Sequence, residues 1–255
     1  MKKKFNFISL ILSIPVGLVL VVSFSWASGN QFQTPFFPIL ALLSGFIITG
    51  AVIGIISKEV TILEPGIGSI LVAIISYFII TSLGLNSLNS IYTSQWVIIL
   101  MNAVVLTFIG AWLGEKLQHG IIDPKKSVMP TFDWSWVLAG TLLGLTSSIV
   151  LINLLTMAMG LNPTLFYIPY FLTLLITGII IGWMSPGVTV IEAGLAGFLT
   201  ITIGMDILML TLMQGKEIEL TYIILFLVTG FVVTIIGGFL GEKVQSSKEE
   251  AEKGE

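Results

Sequence analysis

The stretch "ITGAVIGIISKEVTILEPGIGSIL" at residues 48–71 returns, with changes, as "ITGIIIGWMSPGVTVIEAGLAGFL" at residues 176–199. The two stretches are identical at 11 of 24 aligned positions, with a constant offset of 128 residues. A second pair, "TFIGAWLGEKLQ" at 107–118 and "TIIGGFLGEKVQ" at 234–245, is identical at 8 of 12 positions with an offset of 127. The sequence therefore predicts that the chain consists of two copies of one unit.

The composition places the chain in a membrane. Hydrophobic residues make up 55% of it, charged residues only 10%, and the mean hydropathy is +1.04. A soluble domain carries about 25% charged residues, so this chain lacks the polar groups to cover a globular surface, and its outer surface is expected to face lipid. The chain has no Cys, which excludes disulfides and thiolate sites. All eleven basic residues are Lys, and no basic face exists to bind nucleic acid.

The hydropathy pattern predicts the fold class. A helix needs about 20 apolar residues to cross a bilayer, and none of the long apolar runs shows the two-residue alternation of a strand. We therefore predict an all-α polytopic membrane protein with eight transmembrane helices. They are expected over residues 6–26, 37–57, 62–84, 96–114, 135–158, 166–184, 190–212 and 221–241.

The two copies divide these helices equally. We predict a first four-span repeat at 1–114, a cytoplasmic linker at 115–134, a second four-span repeat at 135–242 and a disordered, charged cytoplasmic tail at 243–255. Four is an even number, so both copies would enter and leave the membrane in the same direction. The sequence thus predicts parallel repeats related by a pseudo-twofold axis along the membrane normal.

The lysines predict the orientation. Ten of the eleven fall on one side of the eight spans, and only Lys216 falls on the other. The positive-inside rule makes the lysine-rich side cytoplasmic, which puts both termini in the cytoplasm and the chain in the plasma (inner) membrane. An alternative reading of the start is a signal peptide cleaved after Ala27, but the repeat gives the first span a counterpart deep in the chain.

Aromatic residues near the span ends predict an interfacial belt. These are Trp26, Tyr92, Trp96, Tyr167, Tyr170 and Tyr222 at the outer ends and Trp112, Trp134, Trp136 and Trp183 at the inner ends.

Paired glycines predict where helices pack closely. Glycines four residues apart form a flat stripe on one helix face and let two backbones approach each other. Such pairs occur at matched places in spans two, four, six and eight. The pairs are Gly50 with Gly54, Gly110 with Gly114, Gly178 with Gly182, and Gly237 with Gly241.

The repeated polar stretch allows three interpretations, the last of which is a contact with lipid headgroups or a partner protein. In the first, Thr61-x-x-Glu64 and Thr189-x-x-Glu192 are capping boxes that begin spans three and seven. In the second, Glu64 and Glu192 form a cation or proton site, because oxygen ligands suit hard cations and a carboxylate at the membrane edge is costly unless it is used. Neutral oxygens would come from Thr61, Thr189, Ser57 and Ser185.

Asp206, in the seventh span, is a further candidate for this ion or substrate role, because a charge within a span indicates function by default. Its alternatives are hydration near the outer interface or a hydrogen bond from a neighbouring threonine. The identity of any bound metal stays open at this stage.

The chain lacks the marks of an intramembrane enzyme. His119, the sole histidine, falls in the linker, HExxH is absent, and only Asp206 could serve as an intramembrane aspartate. We expect no enzyme activity and no cofactor. We predict a transporter or channel-like protein built as a fused pseudo-dimer that passes a cation or proton near paired Glu64 and Glu192. The alternative is a non-transporting scaffold, assembly or accessory subunit whose TxxE motifs are only helix caps. Besides the lipid bilayer, the expected partners are a small cation for the first class and a homo-oligomer or membrane partner subunit for the second.

Overall fold

The computed structural model describes residues 6–32, 34–57, 62–122, 132–160, 167–185, 189–211 and 220–253. Within these ranges, the side chains of residues 119–122, 205–211, 220, 222–223 and 246–253 are not described. The regular secondary structure of the described ranges is entirely α-helical. The helices are α1 (Phe7–Gly29), α2 (Phe36–Ile56), α3 (Leu63–Ser82), α4 (Thr93–Ile122), α5 (Trp134–Met159), α6 (Tyr167–Met184), α7 (Thr189–Thr211) and α8 (Leu220–Lys253).

The helices begin and end close to the spans that the hydropathy pattern predicts, except that α4 and α8 are longer. The end of α4, up to Ile122, takes up the first part of the predicted linker. The end of α8 extends through residues 243–253 of the tail for which we expected disorder, so this part of the tail is helical. Its sequence "SSKEEAEK" explains the helix, because Lys, Glu and Ala all favour helices strongly.

The lengths and composition of the helices support an integral membrane protein. In the described part of the chain, seven helices are long and apolar enough to cross a membrane: α1 to α6, and α8 over Ile224–Gln245. The described side chains of α7 form a shorter apolar helix, Thr189–Gly204. Many large hydrophobic side chains on these helices are exposed, such as Ile74 at 50% and Val228 at 54%. Such surfaces are stable in lipid and costly in water.

The chain divides into two compact units. Unit 1 comprises residues 1–118 and 152–162, and unit 2 comprises residues 119–151 and 163–255. In unit 1, α1 packs against α2 and α3 through small residues. Gly17 lies against Val72 and Thr49, and Gly45 lies against Val21. The first helix is thus an integral part of its unit.

Unit 2 has a comparable interior. Its buried core includes Val137 and Ile181, with Ala193 and Ala196 of α7. Gly140 of α5 lies directly against Ile181 and Ala196. The small residue lets α5 approach α6 and α7 closely.

The predicted aromatic belt needs a partial correction. Trp26, Tyr92 and Trp134 are exposed at 51%, 75% and 62%, as interfacial residues should be. In contrast, Trp96, Trp136 and Tyr170 are almost fully buried, with 3%, 2% and 6% exposed. These three side chains point into the packed units, because a position near a span end does not by itself decide which face of the helix a residue occupies.

Candidate functional site

The repeated glutamates are buried at the start of their helices. Glu64 lies in the first turn of α3 and is 4% exposed, and Glu192 lies in the first turn of α7 and is fully buried. A buried carboxylate is costly unless hydrogen-bond donors surround it. The identity of those donors therefore decides what the glutamates do.

In each unit the donor is the backbone of the residue that precedes the first helix. Asn6 donates its N–H to Oε1 of Glu64 at 3.0 Å, and Asp133 donates its N–H to Oε1 of Glu192 at 2.7 Å. Asn6 precedes α1 and Asp133 precedes α5, at the repeat offset of 127 residues. The first N–H groups of a helix have no partner inside it. Each glutamate accepts the N–H of the residue just before the helix, and so adds to the capping of that helix start.

The side chains of the same two residues cap the helix itself. Oδ1 of Asn6 accepts from the N–H groups of Ile8 and Ser9 at 3.1 and 3.3 Å. Oδ1 of Asp133 accepts from the N–H and the hydroxyl of Ser135 at 2.8 and 2.6 Å. Asn and Asp are preferred helix N-caps for this reason. Each helix start is therefore held by an Asx cap together with a glutamate from another helix.

This arrangement differs from the predicted capping box. The N-cap of α3 is Ile62, which makes no side-chain capping bond, and Thr61 lies outside the described residues. Thr189 is the first residue of α7, and its hydroxyl donates to Oε2 of Glu242 at 3.4 Å. Each glutamate thus accepts from the start of a neighbouring helix, a long-range contact that the local TxxE spacing does not encode.

The equivalent serines of the repeated stretch, Ser57 and Ser185, behave differently in the two units. Ser185 is fully buried and donates its hydroxyl to Oε2 of Glu192. Ser57 instead accepts at Oγ from the hydroxyl of Ser9 at 3.1 Å. The position equivalent to Ser9 in the second copy is Trp136, which cannot make this hydroxyl contact. Unit 2 therefore brings Glu192 and Ser185 together, whereas in unit 1 Ser57 pairs with α1.

A repeated glutamine adds a second difference. Gln118 of α4 donates its amide to the carbonyl oxygens of Ile55 and Ser57, the first at 3.2 Å. It thereby satisfies carbonyl groups at the end of α2. Its counterpart Gln245 is 4% exposed, and neither polar atom of its amide has a hydrogen-bond partner among the described residues. Sequence reasoning missed Asn6, Asp133 and both glutamines, although all four recur at the repeat offset.

The paired glycines lie where helices touch backbone to backbone. In unit 1, a methyl group on Gly50 would collide with the carbonyl oxygen of Thr107, and one on Gly54 would lie 2.6 Å from that of Ala111. Conversely, a methyl group on Gly110 would collide with Ile47 O and one on Gly114 with Ala51 O. The stripes of α2 and α4 therefore face each other.

Unit 2 has the same contact between α6 and α8. Gly178 lies against Thr234 O, and Gly182 against Gly238 O. Gly237 and Gly241 lie against Leu175 O and Ile179 O in return. These contacts leave no room for any side chain at the four positions.

Asp206 lies in α7, but its side chain is outside the described part of the structure. Its ion or substrate role therefore stays a prediction. Among the described residues, no group of three or more His, Cys, Asp or Glu side chains could hold a metal ion.

The described site can therefore hold helix starts in place, and in unit 2 it combines a buried carboxylate with a serine hydroxyl. Comparison with known proteins adds no assignment: no family model, no curated protein and no solved structure matches this chain.

Proposed function

We propose that this multi-pass membrane protein is a scaffold, assembly or accessory subunit, and that its repeated glutamates are clamps that hold helix starts together. The observation that carries this proposal is that Glu64 and Glu192 each accept a backbone N–H, from Asn6 and Asp133. A carboxylate engaged in this way performs a structural task that explains why it was kept in both copies. The proposal includes no catalytic activity.

The clamp has a clear physical basis. Each glutamate lies in the first turn of its own helix and contacts the start of another, so two helix dipoles favour its negative charge. A hydrogen bond to a charged group contributes about 1.5–3 kcal/mol. That contribution offsets the cost of burying the carboxylate and fixes α1 against α3, and α5 against α7.

Transport of a cation or proton is the second candidate function, and one observation favours it. Glu192 is fully buried, and the hydroxyl of Ser185 points at its second carboxylate oxygen. Two oxygens of this kind are suitable ligands for a hard cation. In this candidate function the cation would bind in unit 2 rather than in unit 1, because Ser57 is paired with Ser9 instead of Glu64.

We also propose that the two units are parallel copies, as the sequence repeat predicts. The protein would lie in the plasma (inner) membrane, with both termini and the 115–134 linker on the cytoplasmic side. The equivalent pairs Asn6–Glu64 and Asp133–Glu192 support a common origin of the units. The lysine distribution supports the orientation.

Two double variants distinguish the candidate functions. Glu64→Gln/Glu192→Gln keeps an oxygen that can accept the backbone N–H but removes both charges. Glu64→Leu/Glu192→Leu removes the acceptor as well. The melting temperature of each purified protein is followed by tryptophan fluorescence with Na⁺, K⁺, Mg²⁺ or Ca²⁺ over a range of pH, and the uptake of the same ions is measured in proteoliposomes.

A clamp predicts that the Gln variant, which keeps the acceptor but loses the charge, melts between wild type and the Leu variant, with no ion-specific stabilisation of any of the three. A ligand that binds only the folded state must raise the melting temperature as its concentration rises. A cation that stabilises wild type but not the Gln variant, together with uptake that the Gln variant loses, would establish transport and overturn the scaffold proposal.

A further inference from the structure

An asparagine lies on the outer face of α4, within the apolar part of that helix. Asn102 is exposed, and its exposed neighbours on this face include Ile98, Met101 and Val105, at 61%, 67% and 56%. The predicted span begins six residues before Asn102, and a helix rises about 1.5 Å per residue, which puts Asn102 roughly 9 Å inside the hydrocarbon core. An unbonded amide is costly at that depth. The side chain of Asn102 therefore favours a partner that offers hydrogen bonds.

Only part of this amide is bonded within the chain. One N–H of Asn102 donates to the carbonyl oxygen of Ile98 at 2.9 Å, which is its only hydrogen bond among the described residues. An Asn amide has two N–H donors and a carbonyl acceptor. One donor and the acceptor are therefore left over. This combination is self-complementary, because two such amides can exchange two hydrogen bonds with each other.

The residues around Asn102 form a seam suited to pairing with a second α4. Positions spaced alternately by three and four residues follow one face of a helix with the 3.5-residue repeat of a coiled coil. On α4 the exposed part of this seam consists of Gln95, Ile98, Asn102 and Val105, and it continues through the half-buried Ile109 and Trp112. In coiled coils, a single Asn within the seam specifies the register and the number of helices.

We propose that two copies of this chain associate through the outer face of α4, with their Asn102 amides hydrogen-bonded to each other. All copies enter the membrane in the same direction. Around a twofold axis along the membrane normal, the two α4 helices therefore run parallel, and each seam residue meets the same residue of the other copy. Asn102 then lies opposite the partner's Asn102, which satisfies both amides. The dimer does not rest on the glutamate clamp, because Asn102 bonds to neither glutamate.

The second copy of the repeat provides a matched control on α8. Leu225 and Val232 occupy the equivalent seam there, at an offset of 127 residues, and are exposed at 58% and 46%. Between them, Thr229 takes the place of Asn102, and its hydroxyl donates to the carbonyl oxygen of Leu225 at 2.7 Å. A Thr hydroxyl has a single donor, which its own helix uses here. The α8 face is thus similarly apolar but lacks the self-complementary amide, and we expect it to face lipid.

Cysteine cross-linking of the full chain in membranes tests the contact, because the chain has no native Cys. The single-cysteine variants are Ile98→Cys and Val105→Cys on α4, with Leu225→Cys and Val232→Cys on α8 as controls. A disulfide needs Cβ atoms about 3.5–4.5 Å apart, so a single cysteine gives a covalent dimer only where it meets its own counterpart. With copper phenanthroline as the oxidant, we expect covalent dimers from the α4 variants and not from the α8 variants.

A second measurement tests the amide itself. Copies that carry donor or acceptor dyes on the C-terminal tail are mixed in liposomes, and energy transfer is followed over a range of protein-to-lipid ratios. Asn102→Leu removes the amide but keeps a side chain of similar length, and Thr229→Val is the matched control. We expect Asn102→Leu to raise the dimer dissociation constant roughly 3- to 30-fold, the range for hydrogen bonds between membrane helices. Thr229→Val should leave it unchanged.

Three results would overturn the proposal: no covalent dimer from either α4 variant, equal cross-linking on α4 and α8, or an unchanged dissociation constant for Asn102→Leu. The first result is also expected if another part of this chain, or a different protein, covers the outer face of α4. The cross-linking variants leave Asn102 in place, so their result decides the matter even if Asn102→Leu proves unstable.

Discussion

At the scale of single residues, the two copies of the glutamate clamp differ in their second contact. Glu64 and Glu192 both accept a backbone N–H, but only Glu192 also accepts a serine hydroxyl. Removing one donor from a buried carboxylate costs more than removing a bond between two neutral hydroxyls, because the charge keeps its full desolvation cost. The equivalent serines Ser185 and Ser57 should therefore differ in their contribution to stability.

We predict that Ser185→Ala lowers the free energy of unfolding by about 1.5–3 kcal/mol, the range for hydrogen bonds to charged groups. The matched variant Ser57→Ala loses only the contact with Ser9 and should cost roughly 0.5–1.5 kcal/mol. Melting temperatures of both variants in the same detergent give the comparison. Equal losses, or a larger loss for Ser57→Ala, would show that the Ser185 hydroxyl does not support the carboxylate.

At the scale of helices, each unit is joined along one glycine seam, between α2 and α4 or between α6 and α8. Carbonyl oxygens of one helix lie directly on the glycines of the other. In lipid there is little hydrophobic gain from pairing helices, so close backbone packing contributes a large part of their association. The seam also allows weak Cα–H···O contacts between the two backbones. Any side chain at the seam would force the helices apart.

We predict that Gly110→Ala, whose new methyl group would collide with Ile47 O, destabilises the protein by about 1–3 kcal/mol, a typical cost of overpacking. The control is Gly194→Ala in α7, where the nearest atoms are side-chain atoms of Ile235 and Phe231 at 3.0 Å, which can move. Thermal unfolding of both variants in detergent checks this. If Gly110→Ala melts no lower than Gly194→Ala, the seam does not depend on glycine.

At the scale of the whole molecule, the helices were easier to predict from the sequence than their contacts. Runs of about 20 apolar residues determine where a helix can cross lipid, and the helices begin and end close to the predicted spans. The partners of Glu64 and Glu192 lie 58 and 59 residues away in sequence. Such contacts depend on which helix starts lie side by side in the fold, and the spacing of residues within a short sequence motif does not indicate this. Burial of Trp96 was missed for a similar reason, since hydropathy does not reveal which face of a helix meets Tyr77.

The orientation and the number of crossings can be tested together, because the chain has no native Cys. Three single-cysteine variants, Lys3→Cys, Lys125→Cys and Lys216→Cys, are each labelled with a membrane-impermeant maleimide in intact cells. Eight crossings place the first two in the cytoplasm and the third outside. We therefore expect only Lys216→Cys to react before permeabilisation. Ala103→Cys, at a fully buried position in α4, is the control that should stay unlabelled until the protein is denatured.

The pattern of labelling separates the two parts of the proposal. Four predicted crossings lie between residues 3 and 125, so labelling of these two positions from opposite sides would contradict parallel repeats. Three helices with predicted crossings, α5 to α7, lie between residues 125 and 216. If positions 125 and 216 react from the same side, one of the three helices does not cross the membrane. We would expect this helix to be α7, because its described apolar part is the shortest. If all three positions react from the sides opposite to those expected, the repeat stands and the orientation is reversed.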